Sequence, residues 1–140
     1  MLFLNPQNVA LDGAPLDHVR AIAVSRKAHR LVVEYTDRGP HPSFIDVPEQ
    51  RTTITITRDL TDGEPQINTT IKPGLQTQLT FTTAPNASDA QTQPFTITVV
   101  LTDTEVHLGR DSHATHTIRA IAVSPTGVLD PFTTLELPPL

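Results

Sequence analysis

RTTITITRDL, residues 51–60, alternates threonine with isoleucine. In an extended strand successive side chains point to opposite faces, so Ile54 and Ile56 share one face and Thr53, Thr55 and Thr57 share the other. The segment therefore predicts a strand with one dry face and one wet face. The pattern recurs in both directions along the chain. Phe95, Ile97, Val99 and Leu101 alternate with Thr96 and Thr98, and Leu75, Leu79 and Phe81 oppose Gln76, Gln78, Thr80 and Thr82. Further strands are expected at 19–25, 30–36, 66–71, 106–108, 117–124 and 133–137, which makes about nine. No window carries a 3.6-residue apolar stripe, so the expected fold class is all-β with little or no helix. Nine short strands suit two packed antiparallel sheets, a β-sandwich or a barrel-like body.

The hexapeptide RAIAVS occurs twice, at residues 20–25 and 119–124. In each copy the two alanines face one way and the isoleucine and valine the other, which gives a strand with a thin face and a bulky face. The two copies are read as equivalent strands of two hairpins.

Turn signals lie at Asp12-Gly13, Asp62-Gly63, Pro73-Gly74 and Thr126-Gly127. The run Arg26-Lys27-Ala28-His29-Arg30 reads as a hairpin turn between 19–25 and 30–36, with its charges in water. Prolines 40, 42 and 48 make residues 39–49 a long, stiff loop, and residues 84–93 are polar and small, as in a surface loop. The pair Pro138-Pro139 ends the last strand.

At 140 residues the chain is sized for one domain, residues 1–140, with room to bury about two thirds of its unfolded surface. Threonine is the most frequent residue, and the hydrophobic fraction of 37% is low enough to point to burial between subunits. A net charge of -5 argues against a body that grips nucleic acid, which needs clustered Lys and Arg. The absence of cysteine excludes disulfides and thiolate chemistry. The opening MLFLNPQNVALDG lacks the basic flank and long apolar core of a signal peptide, and no run approaches a membrane span.

The residues that bear chemistry form no catalytic set. His107, His113 and His116, with Glu105 and Asp111, offer imidazole and carboxylate, but the spacing H-x5-H-x2-H matches no known ligand pattern, and they read as solvated histidines on a polar turn. Ser25 and Ser124 end their expected strands without a G-x-S-x-G context, and the six glycines are too scattered for a phosphate loop. No enzyme, cofactor or metal site is expected.

The hairpin VRAIAVSRKAHRLVVEYTDRG, the loop GPHPSFIDVPEQ, the strand RTTITITRDL and the C-terminal EVHLGRDSHATHTIRAIAVSPTGVLD followed by FTTLEL appear in an order that resembles bacteriophage tail tube proteins and the inner tubes of contractile injection machines. The opening Phe3-Leu4 with Leu11-Asp12-Gly13 belongs to the same resemblance. It implies a structural virion subunit whose inner sheets join into a ring-shaped barrel, usually of six copies. Stacked rings then form the conduit for genome ejection. It also implies assembly in the host cytoplasm, with tape-measure, sheath, terminator or baseplate proteins as partners and viral DNA in transit. On this reading Thr53, Thr55 and Thr57 face the lumen. Arg26, Lys27, Arg30, Pro40, His41, Phe44 and Asp46 make subunit or ring contacts. Family members commonly carry a helix between the sheet halves, where residues 66–84 read as strand here. A tail completion or adaptor protein of similar fold is therefore an alternative, as is a monomeric β-sandwich module for binding or adhesion.

Overall fold

The computed structural model describes residues 2–60, 71–83, 94–108, 114–124, 126–127 and 131. It is all-β, with no helix among these residues. The strands are β1 (Leu2–Leu4), β2 (Gln7–Leu11), β3 (Ala14–Pro15), β4 (Val19–Tyr35), β5 (Pro42–Leu60), β6 (Gln76–Thr82), β7 (Pro94–Leu108) and β8 (Ala114–Ala122). All pairings are antiparallel, in the order β1-β4-β5-β8-β7-β6-β2-β3. The described strands thus make one sheet where two were expected.

That sheet is strongly curled into a half-barrel. β1 stands at one end of the strand order and β2 next to the other, yet only Asn5 and Pro6 separate them in the chain. Two residues span only several ångströms, so the two ends of the sheet must approach each other. Ring contacts confirm the approach: Phe3 on β1 lies 5.4 Å from Phe81 on β6 and 5.3 Å from Phe95 on β7 between ring centroids. Asn5, at φ 50, takes the left-handed conformation that asparagine tolerates, and its amide donates to the Arg20 carbonyl at 2.8 Å.

Curling gives one sheet a core of its own, because side chains on the concave side converge. Ile22, Ile54, Leu79 and Ile118 are fully enclosed, with Ile56, Phe81, Phe95, Ile97, Val99 and Leu101 around them. Every expected apolar face on 52–58, 75–82 and 95–101 points to this core. Asp12-Gly13 forms the predicted tight turn: β2 and β3 pair Leu11 with Ala14 across it, and both turn residues have positive φ, at 55 and 77.

Three expectations are corrected. Residues 26–30 are not a turn, because β4 runs unbroken from Val19 to Tyr35. Residues 39–49 are not a loop from end to end, because β5 begins at Pro42. Prolines 42 and 48 are admitted because β8 pairs with β5 only from Thr53 onward, which leaves this stretch an edge where a missing amide donor costs nothing. Residues 106–108 are the end of β7 rather than a strand of their own. The N-terminal strands β1 to β3 were not expected at all. The expected strands at 66–71 and 133–137 and the loop at 84–93 lie wholly or almost wholly outside the described residues.

Candidate assembly surface

β4 and β5 outrun the sheet. β1 flanks β4 only at Ala21–Ala23, and β8 flanks β5 only from Thr53 to Leu60. Beyond these points β4 and β5 continue together as a two-stranded arm, with pairs running from Arg26↔Thr52 to Tyr35↔Pro42. Ten residues per strand give the arm a reach of about 33 Å. The chain reverses at residues 36–41, ten residues further out than the expected turn.

The predicted contact residues are brought together on this arm. Arg26, Lys27 and Arg30 lie on β4, Phe44 and Asp46 on β5, and Pro40 and His41 at the reversal, all exposed. Arg30 leans towards Glu49 at 3.8 Å, and Arg51 meets His29 Nδ1 at 3.1 Å. Around these charges lies a set of apolar side chains that the sequence reading left out. Among the described residues the exposed large apolar side chains are Leu31, Val32, Val33, Tyr35, Phe44 and Ile45 on the arm, with Leu2 and Leu4 on β1 beside its base. The signal was present in the alternation: Val33 stands opposite Ile45 and Glu34 opposite Phe44, so both faces of the ribbon carry apolar groups. Such a ribbon has no core beneath it to hide them.

Thr53, Thr55 and Thr57 lie on the outer, convex side of the sheet and are half-buried. Thr53 stands between Ser25 and Ile121, Thr55 between Ala23 and Arg119, and Thr57 between Ala21 and Thr117. This strip is shallow and nearly uncharged. Its one cation in that row, Arg119, donates to Asp103 Oδ2 at 2.6 Å and Glu105 Oε2 at 3.4 Å, and those bonds raise its pKa above the ordinary arginine value. The arrangement depends on a bulge in β7 between Leu101 and Asp103, which turns Asp103 and Glu105 outward after Leu101 has faced the core.

The histidines do not converge. His107 pairs outward with Glu105 at 2.8 Å, whereas His116 is buried on the core side, so its reading as a solvated turn residue is corrected. Arg58 donates to His116 Nδ1 at 3.3 Å and to the Asp17 carbonyl at 3.2 Å. A guanidinium has donors only, so that imidazole nitrogen accepts. Burial of Arg58 was readable from the sequence, since it follows Thr52, Ile54 and Ile56 in the same alternation. His113 and Asp111 lie outside the described residues, and no group of three His, Asp or Glu side chains that could hold a metal occurs among the described ones. Ser25 sits within β4 rather than at its end, and Ser124 Oγ accepts from the Gly127 amide at 3.2 Å as part of a turn.

No protein-family model matches this sequence, and no curated protein is significantly similar to it. The fold and the arm therefore carry the functional reading.

Proposed function

We propose that the protein is a non-enzymatic structural subunit of the bacteriophage tail tube type, which assembles into stacked rings that conduct DNA. The observation that carries this reading is the arm, a ribbon of about 33 Å that leaves the sheet with apolar side chains exposed on both faces. An isolated two-stranded ribbon is marginal in water, and exposed apolar groups on it favour burial against another chain.

In the proposed ring, Thr53, Thr55 and Thr57 line the lumen, and the arm residues Arg26, Lys27, Arg30, Pro40, His41, Phe44 and Asp46 contact neighbouring subunits. A threonine strip whose arginine is already paired with two carboxylates captures few phosphates, so DNA slides past it. The second packed layer expected from the resemblance arises, on this reading, when the curled sheets of adjacent subunits meet. The partners are further copies of the chain, a tape-measure protein, and sheath, terminator or baseplate proteins; the location is the virion.

Negative-stain images of the purified chain test the proposal. Rings or tubes are expected, and they should vanish when Phe44 and Ile45 are both replaced by serine. Monomers alone at every concentration and salt would overturn it.

A further inference from the structure

β1 covers the outer edge of β4 at Ala21–Ala23, and among the described residues no strand pairs with that edge from Lys27 to Tyr35. β5 has an open edge too, but Pro42 and Pro48 interrupt its donors, and proline blunts an edge against pairing. β4 contains no proline. The edge fit for a further strand is the one on β4.

Residues 30–34 along that edge read RLVVE, a stretch complementary to its own reverse, and the arm's bulge on β4 lies outside it, between Ala28 and Arg30. Antiparallel pairing of two copies about a two-fold axis through Val32 sets Val32 against Val32, Leu31 against Val33 and Arg30 against Glu34. Each pair except the first occurs twice. The result is an apolar centre flanked on both sides by opposite charges, the arrangement that stabilises cross-strand neighbours. Neighbouring registers lose this. An axis through Arg30 places like charges face to face, and an axis through Leu31 leaves Glu34 against Ala28.

We propose that the free chain forms a two-fold dimer by joining the β4 edges of two arms about Val32. Two marginal ribbons become one four-stranded sheet, which is within the range of independent stability. Arg30 exchanges its exposed 3.8 Å contact with Glu49 for the partner subunit's Glu34. Solvent-exposed ion pairs contribute little, so this exchange is cheap. The dimer is distinct from the ring contacts proposed above. A two-fold contact closes on itself, whereas ring contacts run head to tail. In a tube-forming protein the dimer is thus the form the subunit takes before rings assemble.

Sedimentation equilibrium on the full chain at low salt tests the pairing. The unmodified chain is expected to dimerise, more weakly as salt is added. Glu34→Arg and Arg30→Glu should each weaken the dimer by about tenfold or more while leaving the far-ultraviolet circular dichroism unchanged, since each variant sets like charges opposite one another twice. The double exchange R30E/E34R restores opposite charges and should restore the dimer. The chain has no cysteine, so Val32→Cys should oxidise to a covalent dimer while Ser25→Cys, far from the axis, should not. A chain that is monomeric throughout, a double exchange that fails to restore association, or equal cross-linking at 25 and 32 would each overturn the pairing. Electron micrographs of the same samples separate the two readings: tubes with no dimer at any stage remove the pairing alone, and dimers with no tubes support it and remove the ring.

Discussion

The two copies of RAIAVS are identical in sequence and opposite in orientation. In the first, on β4, Ile22 and Val24 are buried in the core, and Ala21 and Ala23 lie half-buried on the convex side. In the second, on β8, Ala120 and Ala122 face the core and Ile121 lies outside. Their neighbours account for the difference. β8 is a central strand of the curl, and Ala120 sits between Ile54 of β5 and Leu101 of β7. On the concave side of a tightly curved sheet side chains converge, so small residues on a middle strand make room for large ones on either side. β4 lies next to one end of the sheet, where bulky residues fill the space that the curl encloses. A strand needs a thin face and a bulky face, but which of them is dry depends on its place in the sheet.

The same substitution in the two copies is expected to have unequal effects. Ile22→Ala should cost about 2–4 kcal/mol in a urea or thermal unfolding experiment, as an enclosed isoleucine leaves a cavity, whereas Ile121→Ala should cost about 1 kcal/mol or less. Equal losses would mean that the two faces are not distinguished by the core. The converse pair follows in size. Ala120→Val overfills the centre and should destabilise by about 1–3 kcal/mol, while Ala21→Val, on the convex side, should be within about 0.5 kcal/mol of the parent by the same measurement.

A smaller effect sharpens the contrast between faces. Thr77 is buried on the core side of β6, and its hydroxyl has no hydrogen-bond partner among the described residues. Replacing it by valine removes a buried group that makes no bond, so Thr77→Val should raise stability by up to about 1 kcal/mol, and Thr55→Val on the outer strip should leave it nearly unchanged. The smallest change in stability belongs to the arm. Leu31→Ser with Val33→Ser should shift the unfolding midpoint little, because neither side chain is in the core, yet it should abolish rings or tubes in micrographs. On the proposed function, the base of this hairpin carries stability and the tip is left to association.

Much of the body was legible in the sequence because period-two alternation is a local property. Ile54 and Ile56, Leu79 and Phe81, and Phe95 to Leu101 each declared their dry face, and Asp12-Gly13 declared its turn. The arm was misread for a physical reason. Arg26-Lys27-Ala28-His29-Arg30 is charged, and prolines 40, 42 and 48 discourage a central strand, so both stretches resemble a turn and a loop when taken as parts of a sheet interior. They are strands because they lie beyond the sheet, where charge meets water and an edge tolerates proline. Arg26, Lys27, Arg30, Pro40, His41, Phe44 and Asp46 nevertheless lie on one exposed feature, with Leu31, Val32, Val33, Tyr35 and Ile45 among them.

By itself the sequence determined the all-β class, the alternation that sets side chains on two faces, and the absence of cysteine chemistry, since each depends only on neighbours along the chain. The tertiary structure decided that one sheet curls on itself, that Phe3 closes against Phe81 and Phe95, that two identical hexapeptides turn opposite faces to the core, and that β4 and β5 outrun their neighbours to form an arm. Those outcomes rest on which strands stand side by side, and strand order depends on contacts between residues far apart in the chain.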